Sequence, residues 1–303
     1  MKNEKIILVT GSSGLVGSQL VKALGEKGYE VRRLVRREPE EAGEFAWDPE
    51  EGEVDSAALE DLYGVIHLAG ENIAEGRWSK EKKRRIWTSR ETPTALLASR
   101  CRELSTPPQV FVSASATGLY GNREEEQVDE ASSPGEGYLA DLCRAWERAA
   151  DQAEGKNTRV VKVRIGPVLS PSGGLLEKVL PIFRKGLGGK LGTGKQFMPW
   201  VSVDDLIRIF LFVLEKETLS GPVNAVSPEP VRNESFTKIL GRLLHRPTFF
   251  PAPAFALRTA FGEMADEMLL GGAKVAPKVL LENGFEFHHP EIEKGLRWAL
   301  KSE

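Results

Sequence analysis

Residues 6–20 read IILVTGSSGLVGSQL, and no other stretch limits the fold of this chain as much. Four apolar residues and Thr10 give a short buried strand. Glycines then fall at Gly11, Gly14 and Gly17, with Ser12, Ser13, Leu15 and Val16 between them, and the apolar spacing turns helical. Each glycine has a separate task in a strand–loop–helix unit that cradles a dinucleotide. Gly11 permits the tight turn, Gly14 lets the backbone approach a pyrophosphate, and Gly17 lets helix and strand pack closely. The helix N-terminus adds unpaired N–H groups and a positive dipole end. A bare glycine triplet also fits a plain turn, but here strand, loop and helix follow in the required order.

Strand-like and helix-like segments continue to alternate, which predicts a Rossmann doubly wound parallel sheet in an α/β fold. Residues 15–25 carry helical spacing, and residues 29–35 read as the second strand. Residues 64–69, 110–114 and 159–165 read as three more. Residues 36–55 are glutamate-rich with two prolines and read as a solvated excursion rather than a site. The basic run 80–85 reads as solvated helix surface. From Ser170 onward glycine- and proline-rich loops separate the helices, which predicts a smaller C-terminal substrate or cap lobe. The expected division is a core over 1–169, a mixed segment over 170–244 and a small C-terminal domain over 245–303.

The end of the second strand selects the cofactor. An acid there holds a ribose hydroxyl, whereas a basic side chain accommodates a 2′-phosphate. This chain has Val35, Arg36 and Arg37 before its first acid, Glu38. Arg36 is therefore the candidate phosphate clamp, and NADP(H) is expected over NAD(H).

Composition removes several alternatives. A net charge of −3 over 303 residues gives no support to a nucleic-acid partner. Cys101 and Cys143 lack metal-ligand spacing, and His288–His289 has no other ligand close in sequence, so no metal is expected. No apolar run is long enough to span a bilayer and no basic leader precedes Ile6. These features predict a cytoplasmic protein with a small-molecule substrate and no membrane partner. They leave its oligomeric state open.

Beyond the glycine loop, the sequence HLAG at 67–70 and SASATGLYG at 113–121 complete a pattern that resembles the extended short-chain dehydrogenases/reductases. Further motifs narrow it: GENI at 70–73, Arg77-Trp78, Ser89-Arg90, LCxxWE at 142–147, GLGG at 186–189, GxGxQ at 192–196 and GPxN at 221–224. In this order they resemble an atypical NAD(P)-dependent epimerase branch that ends in a small domain of unknown function. The resemblance implies a Rossmann fold and dinucleotide binding. It places backbone contacts to the cofactor at Leu68, Ala69, Gly70, Ser113 and Val168. It also places a cofactor-facing position at Arg90, for which a plain helix-surface charge is the alternative. His67 reads as a packed polar residue.

The catalytic pattern of that superfamily is a Ser or Thr, then a Tyr four residues before a Lys that lowers the tyrosine pKa. Ser115 matches the first position. In the helix that should follow, four residues beyond Tyr138 stands Leu142. Anchoring on Glu147 instead puts Cys143 and Leu139 in the two slots. The expected catalytic residues are therefore Ser115 and Tyr138 without a lysine; Tyr120 facing the site is the alternative, although in the resembling pattern this Tyr-Gly turns the chain and packs. Gln196 and Trp200 are expected to line a substrate cleft, and Asp204 to cap the helix beginning at Asp205. Two functions remain open at this point. One is an oxidoreductase or epimerase-like enzyme acting on a polar small molecule. The other is a non-catalytic NADP(H)-binding regulator, which the resemblance links to cell or plastid division.

Overall fold

The structure, a computed structural model, describes residues 5–301. An eight-stranded sheet is built from β1 (Ile6–Thr10), β2 (Glu30–Val35), β3 (Glu44–Asp48), β4 (Glu53–Val54), β5 (Leu62–His67), β6 (Val110–Ala116), β7 (Arg159–Ile165) and β8 (Gly221–Ala225). In space the order is β8-β7-β6-β5-β1-β2-β3-β4. All pairs are parallel except β3 with β4. The strand order reverses next to β1, which is where a doubly wound sheet opens its ligand crevice.

Side chains alternate across this sheet with the period of two that a pleat imposes. Ile7 and Val9 enter one core with Leu20 and Leu24 of α1 (Leu15–Glu26). The same core takes the apolar face of α5 (Val203–Glu215). Leu8 points to the opposite face, against Leu97 and Cys101 of α2 (Lys80–Glu103) and Ala150 of α3 (Tyr138–Asp151). With both faces covered, the central strands read as continuous apolar runs.

A third core lies beyond the sheet. α4 (Gly174–Arg184), α6 (Asn233–Leu243) and α9 (Ile292–Lys301) close around Trp200 and Leu169. Between α6 and α9 come α7 (Ala254–Phe261), a π-helical turn at Ala265–Leu270 and α8 (Lys278–Glu282). The end of the chain thus shares one core with the segment that follows Ser170.

Two local expectations are corrected. Residues 36–55 are not a bare excursion, because they contain β3 and β4. Trp47 is buried there and packs against the sheet, while Glu44 is buried beneath Arg33 and Arg37. The charged composition hid a short strand whose alternate residues turn inward. The cap of α5 is Ser202, whose hydroxyl accepts from the Asp205 N–H at 3.0 Å, and not Asp204. Serine supplies the short acceptor this position favours.

Candidate functional site

The loop after β1 is held by contacts that leave no room for side chains. Gly11 has φ +67, and a Cβ there would lie 2.9 Å from the Leu68 carbonyl carbon. A Cβ on Gly17 would lie 2.1 Å from the Gly11 carbonyl oxygen, an impossible overlap. α1 begins at Gly14 with no side chain capping it and no acid in its first turn. Its first N–H groups and dipole end therefore face outward unneutralised. Ser13, Gly14 and Leu15 line a cavity of about 620 Å³, shared with Asn72 and residues 172–174. The Val168 carbonyl packs against Gly174 at the edge of this region, and Val168 pairs with Val201.

Thr10 fixes the other side of the loop. Its hydroxyl accepts from the Leu68 and Ala69 N–H groups at 3.1 and 3.2 Å and sits 2.8 Å from His67 Nδ1. With two donors already bound, the hydroxyl proton goes to Nδ1, so His67 carries its proton on Nε2. Burial pushes the His67 pKa down to about 3 and keeps the ring neutral. His67 is thus a packed polar residue, and Thr10, which the sequence did not single out, pins β1 to β5.

At the end of β2, three arginines have different surroundings. Arg37 grips Glu44 with two hydrogen bonds of 2.7 and 2.9 Å, and Arg33 lies 3.5 Å from the same carboxylate. Hydrogen bonds from the Glu40 backbone and from Arg37 draw the Glu44 pKa down to about 2. Arg36 is exposed and has no side-chain partner among the described residues. It lines a second cavity, of about 570 Å³, together with Trp47, Asp48 and Arg100.

Ser115 sits near the end of β6 in a buried polar chain. Its hydroxyl donates to Glu147 Oε1 at 2.7 Å. Arg164 grips both oxygens of that carboxylate at 2.8 and 2.9 Å and also donates to the Tyr120 hydroxyl at 2.8 Å. Tyr120 donates to Asn224 Oδ1 at 2.7 Å. The Asn224 N–H in turn donates to Glu130 Oε1 at 2.9 Å, a carboxyl whose pKa burial raises. Tyr120 is fully buried and burial pushes its pKa up to about 12. Ser113 lies in the same strand and bonds locally to the Ala114 carbonyl.

Several candidate residues have other work. The Tyr138 hydroxyl donates to the Lys83 carbonyl at 2.7 Å, its ring packs edge-on to Trp78, and burial raises its pKa to about 12. No hydrogen bond joins it to Ser115 among the described residues. Arg90 is turned inward: it donates to the Glu71 and Ile86 carbonyls and stacks over Trp146. It is not a plain surface charge, and it holds the turn after Gly70. Within the basic run, Lys82 is buried against Glu71 at 2.6 Å and is not solvated. Burial raises the Cys143 pKa to about 12, as for a small hydrophobe.

The expected cleft position of Trp200 is corrected. Trp200 is 1% exposed in the third core, where a Cβ on Gly295 would lie 2.6 Å from its ring. An aromatic in a glycine-flanked loop looks the same in sequence whether it faces a cleft or fills a lobe. The Gln196 amide donates to the Leu191 and Leu269 carbonyls and ties two loops together. His288 is also less isolated than its sequence neighbours suggest, because Asp204 and Asp205 lie beside it. Asp205 is buried, however, and its oxygens accept from Ser202, Arg208 and the His288 and His289 N–H groups. A carboxylate so engaged is a poor metal ligand.

Comparison with known proteins agrees with this architecture. The NAD dependent epimerase/dehydratase family matches residues 7–225, and a domain of unknown function, DUF1731, matches residues 252–299. An epimerase family protein of Mycobacterium bovis is 44% identical over 97% of each chain. The crystal structure of the human epimerase family protein SDR39U1 with NADPH superposes with TM-score 0.91 at 33% identity, covering 98% of this chain and 100% of that one. A nucleoside-diphosphate sugar epimerase from Corynebacterium glutamicum gives TM-score 0.81 at 35% identity, over 99% of this chain and 59% of that chain. The glycine loop, the sheet order and relatives matched almost end to end converge on one assignment: the chain belongs to the NAD dependent epimerase/dehydratase family.

Proposed function

We propose that this protein binds NADP(H), with the pyrophosphate at the start of α1 and the 2′-phosphate on Arg36. The uncommitted guanidinium of Arg36 carries the reading. Its two arginine neighbours are held by Glu44, and it alone of the three stands free beside a cavity. The uncapped end of α1 and the NADPH in the human relative's structure support it. Titration with NADPH, followed by energy transfer from tryptophan, tests it. Saturable binding with NADPH favoured over NADH is expected. Equal affinities would remove the role of Arg36, and no binding at all would remove the reading.

For the chemistry, the geometry favours a protein that holds the dinucleotide without the usual tyrosine–lysine proton transfer. Tyr120, Tyr138 and Cys143 are all raised to about 12, and His67 is lowered to about 3. Efficient general acid–base groups titrate near the working pH. The Ser115 hydroxyl donates its hydrogen bond to Glu147, which Arg164 holds from the other side. The enzyme reading keeps one support, the position of Ser115 on the sheet beside the strand that ends at His67. A panel of carbonyl compounds and sugar nucleotides, read at the reduced-nicotinamide absorbance band, separates the two. The binding protein gives no turnover. Turnover abolished by Ser115→Ala would establish the enzyme.

A further inference from the structure

The chain after α4 and the chain after α6 run side by side. The Ala252 N–H donates to the Lys190 carbonyl at 2.9 Å, and the Gly192 N–H donates to the Ala252 carbonyl at 2.8 Å. Arg246 Nε donates to the Arg184 carbonyl at 2.8 Å, and Gly186 abuts Pro247. These contacts join two segments that both turn large apolar side chains outward. Phe249 is 83% exposed, Phe255 72%, Phe250 59%, Leu187 55% and Ile182 51%. A cluster of this kind on a soluble surface marks a contact site.

Its charge is as uneven as its polarity. The chain is net negative, yet no acid occurs from residue 178 to 203 or from 235 to 262. Lys185, Lys190 and Arg246 are exposed around the phenylalanines, and neither lysine has a side-chain partner among the described residues. We propose that this face docks on an anionic lipid bilayer, with the phenylalanines entering the headgroup boundary and the cations meeting lipid phosphates. Aromatic tips combined with lysine and arginine suit such an interface. A second copy of the chain fits less well, since a twofold contact would bring the same cations face to face. A protein partner would need pockets for tips that stand this far out, whereas acyl chains yield to them. The expectation of no membrane partner came from the lack of a spanning segment. No described helix is long and apolar enough to cross a membrane, which does not bear on docking from one side.

Co-sedimentation of the full chain with phosphatidylcholine vesicles, with and without phosphatidylglycerol, tests the proposal. Binding is expected only with phosphatidylglycerol, and it should weaken as salt screens the cations. The pair Lys185→Gln and Lys190→Gln should lower the partition coefficient by about fivefold for each lysine removed. The pair Phe249→Ser and Phe250→Ser should abolish binding while the unfolding midpoint and NADPH affinity stay at wild-type values, which shows that the variant is folded. Absence of sedimentation with phosphatidylglycerol would overturn the proposal. So would equal sedimentation with phosphatidylcholine alone, or variants that sediment like wild type. A dimer in sedimentation velocity that the phenylalanine variants dissolve would assign the face to self-association instead.

Discussion

The two ends of the crevice treat polar groups in opposite ways. At the glycine loop, the N–H groups at the start of α1 lack a side-chain cap, and Arg36 lacks a side-chain partner among the described residues. Around Ser115, the hydroxyl, carboxylate, guanidinium and phenol satisfy one another inside the protein. A site that awaits a ligand leaves donors available, whereas a buried network that is already closed holds a fold together. The difference separates a loop that offers donors to an anion from a strand end whose polar groups brace the sheet.

The largest expected effect tests the bracing. Glu147→Ala leaves the Arg164 charge buried without its partner, and loss of one member of such a pair costs about 3–5 kcal/mol. Denaturant unfolding should show it. A variant near wild-type stability would break the comparison by making Glu147 free for chemistry. Next comes Gly17→Ala, whose methyl must displace the Gly11 backbone. A stability loss of about 1–3 kcal/mol is expected from overpacking, with NADPH binding lost in the titration. Arg36→Ala should weaken NADPH by about 2 kcal/mol, the worth of a charge-assisted contact, and leave NADH unchanged.

The smaller effects sharpen the same contrast. His67 is neutral when folded down to about pH 3, but its unfolded-state pKa is the ordinary 6.5. Between those values the unfolded chain binds the extra proton, so this histidine makes stability fall as pH drops below 6.5. The penalty saturates below about pH 3, and its slope for one proton is at most about 1.4 kcal/mol per pH unit. His67→Gln should flatten that part of the stability–pH curve. Tyr138→Phe should change stability by about 1 kcal/mol or less, because only one hydrogen bond to a carbonyl is lost. It should leave NADPH binding intact. A strong effect on binding or turnover would return Tyr138 to the site.

The parts of this picture legible in the sequence are those set by local backbone demands. Gly11 and Gly17 announce the turn because a side chain at either would collide with backbone atoms. The second strand ends at Val35, one residue before Arg36, where the apolar run gives way to charged residues. Residues whose role depends on a distant partner were not legible. Glu44 reads as one glutamate among many until Arg33 and Arg37 are seen above it. Thr10 reads as the last strand residue until Leu68, Ala69 and His67 converge on its hydroxyl. Trp200 was misplaced for the same reason, since its neighbour Gly295 is 95 residues away in the chain. The motif around Ser115 was recognised, but only its contact with Glu147 shows where its proton goes.

The bond from the Asn224 N–H to Glu130 has a consequence for how this molecule behaves in a crowded solution. β8 is the outer strand at one side of the sheet, and its alternate N–H groups point away from β7. Pro222 and Asn224 share that outward parity. Proline has no N–H to offer, and the Asn224 N–H is held by a buried carboxylate. At the opposite border, β4 is two residues long and opens with Glu53 after Glu50 and Glu51. Both borders are therefore poor templates for a stray strand, one for want of donors and the other through short length and like charge. The sheet resists growing into a neighbour's sheet, a safeguard against aggregation built from a proline, a capped amide and three glutamates.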